Sequence, residues 1–346
     1  MISNFPNDRR IHCETGCFVN TLKYYGVDIS EEMVFGVGSG LYFLFTSLMK
    51  MEGFPHLVLR TKPSQIFRNA SKRLGLSMHE MTFGNDKDKA MSALAELVDR
   101  DIPVTLVTNI SHVPFLTPYF PGIFSLNGHY LVVIGRDGNR YTVADTNPHL
   151  PNDDYTYIDD ADLRITRFMP GPYSPHGRLL YFDKPDPDIF LGYDFRPACV
   201  EGLKETCRIM LDVPFPYFGA KGIHYMAKKL RGWDKKHPRA KIERTLYNYY
   251  RLLEQSGTGG SGYRYLYSRF LSQCGELFQS EVLADSAESL TKAADAWRAF
   301  SVHVLHYRRK KPVTLDEIAD TLEEASRYEY ETFHNIKKQF LKKIKS

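Results

Sequence analysis

Residues 13–26 read CETGCFVNTLKYYG, which has the pattern of a short helix that begins at a cysteine and is stopped by Gly26. Two later segments read as strands: residues 128–135, GHYLVVIG, start beside His129, and residues 141–145, YTVAD, end at Asp145. A thiol at a helix N-terminus lies at the positive end of the macrodipole, which favours the thiolate. Cys13, His129 and Asp145 therefore occur in the order of a nucleophile, its base and the residue that orients the base.

The two strands are joined by residues 136–139, RDGN, which predict a hairpin. A three-residue loop at 136–138 ends on a glycine, as such loops prefer, and places His129 directly opposite Asp145. Opposed side chains share a face, with Cβ atoms about 4.5–5.5 Å apart. A two-residue loop at 137–138 would turn His129 to the other face. We predict the three-residue loop.

Three nearby residues offer alternatives to these assignments. Cys17 lies one helical turn after Cys13 among apolar residues and is predicted to be a buried structural thiol. Cys13 itself has polar neighbours on both sides, which indicates a position outside the core. His12 is a rival base, although adjacent side chains at a helix start usually diverge. Asn147 is the alternative residue for orienting the base.

The composition of the chain limits the classes of protein it can belong to. It has 346 residues, 43% of them apolar, and a net charge of +4, which is too small to argue for nucleic acid binding. The first ten residues have no apolar stretch typical of a secretory signal, and no apolar run is long enough to span a membrane. The five cysteines form no metal-type pairs, so we expect free thiols in a reducing cytoplasm and no bound metal.

The pattern of the chain changes near residues 183–188, DKPDPD, where proline and like charges resist regular structure. Strands and helices alternate before this segment, and apolar residues recur at helical spacing after it. The predicted fold class is α+β followed by all-α, with domains at residues 1–184 and 185–346.

A glycine-rich loop, residues 256–262, precedes a predicted helix in the second domain. Consecutive backbone N–H groups at a helix start suit a phosphate or carboxylate, although no Gly-Lys-Ser/Thr follows as in a nucleotide P-loop. A flexible turn is the alternative reading. The candidate binding residues are Gly257, Thr258, Gly259, Gly260, Ser261, Gly262 and Arg264.

Several motifs resemble one known family, that of butirosin biosynthesis protein H. Residues 12–15 (HCET), 24–26 (YYG) and 35–43 (FGVGSGLYF) resemble its N-terminal domain. The glycine-rich loop with residues 263–264 (YR), residues 267–271 (YSRFL) and residues 315–319 (LDEIA) resemble its helical C-terminal domain.

The resemblance implies a papain-like N-terminal domain of the bacteriocin-processing peptidase type, with its triad on Cys13, His129 and Asp145. Those peptidases carry a glutamine six residues before the cysteine, and Asn7 holds that position here. Asparagine can also donate a hydrogen bond to an oxyanion, but with a shorter reach.

The resemblance further implies acyl transfer from the phosphopantetheine thioester of an acyl carrier protein to a small-molecule amine. A thioester is already activated, so neither ATP nor a metal is required. A peptidase, amidase or thioesterase using the same three residues is the first alternative. A non-catalytic carrier-binding module is the second.

A carrier protein, if it is the donor, is expected to be acidic and to bind the helical domain. The glycine-rich loop would hold the phosphate of its arm, and the helical domain would cover the Cys13 cleft. The basic residues expected to meet the carrier are Arg264, Arg269 and Arg308 to Lys311.

Overall fold

The structure is a computed structural model that describes residues 2–51, 53–119, 128–150, 155–170 and 174–344. The chain forms two compact units. The N-terminal unit consists of Met1–Val34 and Ala70–Tyr193, and the helical unit consists of Phe35–Asn69 and Asp194–Ser346.

The N-terminal unit is built on an antiparallel sheet whose described strands follow the order β3-β8-β4-β5-β6-β7. Alternate residues of β4 and β5 pack into one apolar core with Leu94 of α4 and Leu163 of α5. The strands are β3 (Met78–Met81), β4 (Val104–Asn109), β5 (Gly128–Asp137), β6 (Arg140–Ala144), β7 (Thr156–Asp159) and β8 (Leu179–Phe182). The helices of this unit are α1 (Cys13–Tyr24), α4 (Lys87–Asp99) and α5 (Asp160–Arg167), and α2 (Glu31–Val37) begins in it.

Helix α1 packs against β5, and the glycine predicted to stop it follows the helix with a φ of +85°. Its apolar side chains Phe18 and Leu22 are fully buried. Burial of such side chains contributes about 1.5–3 kcal/mol each, which fixes the helix on the sheet. The N-terminal end of α1 is thereby held beside the strand that carries His129.

The β5–β6 hairpin differs from the prediction in register. Asp137 pairs with Arg140, so the loop has two residues, Gly138 and Asn139, and the predicted three-residue loop is wrong. A β-bulge at Ile134 then shifts the pairing by one residue between Gly135 and Val133. The rest of the ladder therefore follows a register that neither predicted loop would give.

The bulge determines which side chains share a face. Beyond it Val132 pairs with Ala144, and continuing this register places Asp145 opposite Leu131. His129 lies two residues before Leu131 and therefore on the same face, as a diagonal neighbour of Asp145. Without the bulge, Asp145 would align with Val132 and lie on the other face.

The helical unit combines the antiparallel hairpin of β1 (Leu41–Met51) and β2 (Phe54–Arg60) with a group of helices. Helix α10 packs against α8, α9 and α11, and α7 packs against both α11 and β1. The helices are α3 (Gln65–Arg73), α6 (Arg196–Cys207), α7 (Gly219–Leu230), α8 (Arg239–Glu254), α9 (Arg264–Phe278), α10 (Glu281–Arg308), α11 (Leu315–Asn335) and α12 (Lys342–Ile344). Helix α3 begins in this unit and ends in the other.

The α+β and all-α classes are confirmed, but the single predicted boundary at 184/185 is not observed. The chain passes from one unit to the other at Val34/Phe35, Asn69/Ala70 and Tyr193/Asp194, so residues 35–69 belong to the helical unit. The reason is close packing: a Cβ on Gly36 would lie 2.1 Å from the Phe270 ring, and a Cβ on Gly202 would lie 2.6 Å from the Gly36 carbonyl oxygen. Residues 35–69 pack against helices that lie more than a hundred residues later in the chain. A local sequence pattern cannot predict a contact over that separation.

Among the described residues, no helix is both long and apolar enough to cross a membrane.

Candidate functional site

Cys13 is the first residue of α1 and follows His12, whose backbone is extended, with φ −118° and ψ 123°. Its backbone N–H belongs to the first turn, where N–H groups have no carbonyl partner within the helix. Cys13 is half-buried, whereas the chain's other four cysteines are buried. Cys13 is therefore the thiol with access to a substrate.

His129 and Asp145 meet as a buried pair. His129 Nε2 lies 2.7 Å from Asp145 Oδ2, and the two residues are 2% and 1% exposed. The other carboxylate oxygen of Asp145 accepts the Asn147 backbone N–H at 2.9 Å, and the Arg9 guanidinium donates to the Asp145 carbonyl. The carboxylate is thus fixed independently of the imidazole, as orienting a base requires.

The imidazole of His129 also lies close enough to the Cys13 side chain to interact with it electrostatically. Burial alone would lower the pKa of His129, but the charge and hydrogen bond of Asp145, with a smaller effect of Cys13, raise this pKa to about 10. His129 is therefore an imidazolium at neutral pH, near the Cys13 side chain. Burial raises the pKa of the Cys17 thiol well above its usual range, so Cys17 is inert, in accord with its predicted structural role.

The alternative assignments are placed differently. The Asn147 side chain oxygen accepts the His149 backbone N–H, so the residue whose side chain holds His129 is Asp145. The His12 ring lies against Thr15, with Nδ1 3.2 Å from the Thr15 hydroxyl. The polar residues beside Cys13 do not indicate an exposed stretch of chain, as the sequence suggested, since His12 and Glu14 are 2% and 0% exposed.

The segment before Cys13 is tied to the strands of the site by two backbone hydrogen bonds, which the sequence did not predict. Ile2 N–H donates to the carbonyl of Ile134 at the bulge, and Arg10 N–H donates to the Thr146 carbonyl, at 2.8 and 2.9 Å. Asn7 is buried in this segment. Its oxyanion role remains a prediction.

Gly16 lets this segment and the Asp145–Asn147 turn lie against α1. A Cβ at Gly16 would lie 2.8 Å from both Arg10 Cβ and Thr146 Oγ1, closer than real Cβ contacts. A glycine inside a helix costs about 1 kcal/mol relative to alanine, so its presence in CETGC was a readable sign of close packing.

Gly16→Ala is therefore expected to push α1 away from the Asp145 turn and slow alkylation of Cys13 about tenfold or more, because small displacements at a reacting centre are costly. The rate constant for iodoacetamide, followed by peptide mass spectrometry, measures this effect. Gly232→Ala is the matched control, since no heavy atom lies within 4 Å of a Cβ there. Equal rates in the two variants would show that Gly16 does not shape the site.

The glycine-rich loop of the helical unit does not present an open anion site. The Glu254 carboxylate accepts the Ser261 backbone N–H at 3.4 Å and the Ser301 hydroxyl at 2.8 Å, and it pairs with Arg298 at 2.6 Å. Thr258, Gly260, Ser261 and Gly262 are buried, whereas Gly257 and Gly259 are exposed. The prediction of a phosphate site formed by residues 257–262 is wrong, because an internal carboxylate occupies the loop.

Arg264 is likewise not available to a partner. It is 0% exposed and forms a bidentate ion pair with the equally buried Glu329, with N–O distances of 2.9 and 3.2 Å. Arg269 and the four residues Arg308 to Lys311 are exposed. Of the predicted basic contacts, only these remain candidates.

No group of three or more His, Cys, Asp or Glu side chains suited to a metal ion occurs within the described ranges.

Comparisons with known proteins match both parts of the chain. Residues 12–146 match the family model described as butirosin biosynthesis protein H, N-terminal. Residues 161–336, about half of the chain, match the model described as domain of unknown function DUF4872. A crystal structure described as a C39-like peptidase from Bacillus anthracis is 16% identical, covers 54% of this chain and 98% of its own, and has a TM-score of 0.38. A search of curated proteins gives no match.

Proposed function

The chain belongs to the DUF4872 family and resembles butirosin biosynthesis protein H in its N-terminal part, and we propose that it is a cysteine-dependent acyltransferase. It takes an acyl or aminoacyl group from a carrier-protein thioester and transfers it to an amine in natural-product biosynthesis. The observation that carries the proposal is the half-buried Cys13 near a buried His129 that Asp145 holds in place.

The first half-reaction begins with Cys13 as thiolate and His129 as imidazolium. The thiolate attacks the thioester carbonyl, and the Cys13 backbone N–H, with the Asn7 side chain, donates to the oxyanion. The carbon–sulfur bond to phosphopantetheine breaks, and the leaving sulfur takes the proton of His129. The products are the acyl-Cys13 enzyme, a neutral imidazole and the free carrier thiol.

The second half-reaction uses the neutral imidazole as a base. The amine attacks the acyl-Cys13 carbonyl while His129 Nδ1 accepts its proton, since Nε2–H is held by Asp145, and Cys13 leaves as thiolate. The amide is released, and the ion pair is restored. No step consumes ATP or uses a metal. The five cysteines are thiols, which supports action in a reducing compartment such as the cytoplasm.

The experiment that tests this function supplies a carrier-bound acyl thioester with and without a primary amine. We expect intact-mass detection of an acyl adduct on Cys13 and, with the amine, an amide product. Release of free acid at the same rate with and without amine would identify a thioesterase instead. Cleavage of a peptide or amide without use of the thioester would identify a peptidase or amidase.

The proposed carrier contact is the exposed run Arg308, Arg309, Lys310 and Lys311 at the C-terminal end of α10. The Arg308 guanidinium lies 3.6 Å from the centroid of the Tyr247 ring, and this stacking presents its charge on a rigid support. A cluster of four cations steers an acidic partner, although each exposed charge contributes little alone. That the helical unit also covers Cys13 remains a prediction.

Charge reversal tests this contact. Arg308→Glu with Arg309→Glu is expected to raise the apparent KM for a carrier-bound thioester about tenfold at low salt, without changing the KM for a small pantetheine thioester. Lys342→Glu with Lys343→Glu reverses the same charge at another exposed position and is the control. Equal effects on both substrates, or none on either, would remove Arg308 and Arg309 from the carrier contact.

A further inference from the structure

Glu31 is a buried carboxylate next to the start of α1. It is 5% exposed and lies at the first position of α2 in the N-terminal unit. Its Oε2 accepts the backbone N–H of Ile11 at 3.0 Å, and its Oε1 accepts the backbone N–H of His12 at 2.7 Å. The two residues immediately before Cys13 are thus held by one side chain from another helix.

The same carboxylate reaches the first turn of α1 through Thr15. The Thr15 hydroxyl lies 2.9 Å from Glu31 Oε1 and 3.2 Å from His12 Nδ1. A hydroxyl has one proton to donate, and an ionised carboxylate is the stronger acceptor. The hydrogen bonds therefore run from His12 Nδ1–H to Thr15 and from Thr15 to Glu31, so both the backbone and the ring of His12 are fixed.

This arrangement departs from how helices usually begin. His12 is the N-cap residue of α1 but makes no side-chain capping hydrogen bond, although Ser, Thr, Asp or Asn there would do so locally. Burial raises the pKa of Glu31, and the hydrogen bonds from His12, Ile11 and Thr15 lower it without cancelling the effect of burial. The negative charge of Glu31 is therefore buried at a cost in desolvation free energy. Departures from local rules that need such compensation are concentrated at functional sites.

We infer that Glu31 is a positioning residue for Cys13. By holding Ile11, His12 and Thr15, its carboxylate fixes the turn from extended chain into α1, and with it the Cys13 sulfur and backbone N–H relative to His129. The inference rests on the proposed function only in taking Cys13 as the nucleophile. It applies equally to acyl transfer and to hydrolysis.

Alkylation of Cys13 by iodoacetamide tests this role without any substrate. Glu31→Gln keeps the shape but replaces one acceptor oxygen with a donor, which cannot accept from Ile11 N–H. In fully folded protein at 25 °C, we expect the Cys13 rate constant to fall about tenfold or more. Glu32→Gln removes the same charge from the next residue and is expected to leave the rate unchanged. Glu31→Asp restores a carboxylate with shorter reach and should recover part of the rate.

A second pair of variants covers the case in which Glu31→Gln does not fold. Thr15→Val removes the bridging hydroxyl at constant volume, whereas Thr15→Ser keeps it. We expect the valine variant to be alkylated several-fold more slowly than the serine variant, with kcat but not KM lowered in acyl transfer. Wild-type alkylation rates in folded Glu31→Gln, or in both Thr15 variants, would overturn the inference. If the wild-type protein shows no acyl transfer but the Glu31 and Thr15 variants still slow alkylation of Cys13, the proposed function would be wrong and the role of Glu31 would stand.

Discussion

Cys13→Ala is expected to abolish formation of the acyl-enzyme and to lower kcat by about 10⁴-fold or more, because removing a nucleophile leaves only binding and oxyanion stabilisation. Cys13 is half-buried at the protein surface, so alanine leaves no large cavity and the fold should persist. Intact-mass spectrometry of the enzyme after incubation with a carrier-bound thioester measures the loss of the adduct. Thermal melting checks that the variant is folded.

Cys17→Ala is the matched control for this substitution. Cys17 lies on the same helix and is 0% exposed, so its truncation should lower stability but leave the acyl adduct on Cys13. An adduct that persists in Cys13→Ala and disappears in Cys17→Ala would reverse the two assignments. Full turnover in Cys13→Ala would exclude covalent catalysis by this residue.

Glu329→Gln is expected to lower the free energy of unfolding by about 3–5 kcal/mol, since it leaves a buried guanidinium without a counter-ion. Glu329 Oε1 accepts from Arg264 Nε at 2.9 Å and from Trp297 Nε1 at 2.7 Å, and all three residues are 0% exposed. Arg264 also donates to the Gly262 carbonyl at 2.7 Å. Urea unfolding followed by circular dichroism measures the change.

Two comparisons make this prediction specific. Glu331→Gln on the same helix breaks a half-exposed pair with Arg327 and should cost no more than about 1 kcal/mol. Combining Arg264→Met with Glu329→Leu removes both charges and should cost less than Glu329→Gln alone, because no buried charge is left unpaired. A Glu329→Gln variant as stable as Glu331→Gln would contradict the assigned role of the ion pair.

Local signals predicted the elements that carry the candidate site. The apolar run after Cys13 and its terminal glycine gave α1, and the apolar segments around His129 and Asp145 gave β5 and β6, because periodicity and turn residues act over a few positions. The predicted proximity of His129 and Asp145 agrees with the structure through a different register, in which the bulge at Ile134 offsets the shorter loop.

Contacts between residues far apart in the chain could not be predicted from the sequence. Glu31 binds residues 19 and 20 positions earlier, and nothing in a helix that starts with two glutamates indicates a backward contact. The glycine-rich loop predicts a site for an external anion, because its sequence does not show whether a carboxylate of the same chain binds its backbone N–H groups. The sequence around Arg264 predicts a surface cation, because its partner, Glu329, lies 65 residues further along the chain.

The bulge at Ile134 has a consequence for how homologous chains can vary in length. Deleting or inserting one residue within either strand between His129 and Asp145 reverses the face on which one of the two side chains lies, whereas a change in the turn at Gly138 and Asn139 can leave the strand pairing intact. Natural length variants that keep His129 and Asp145 together should therefore differ in length at the turn. A single-residue change within a strand should occur only with the gain or loss of a bulge, or with loss of the histidine or the aspartate.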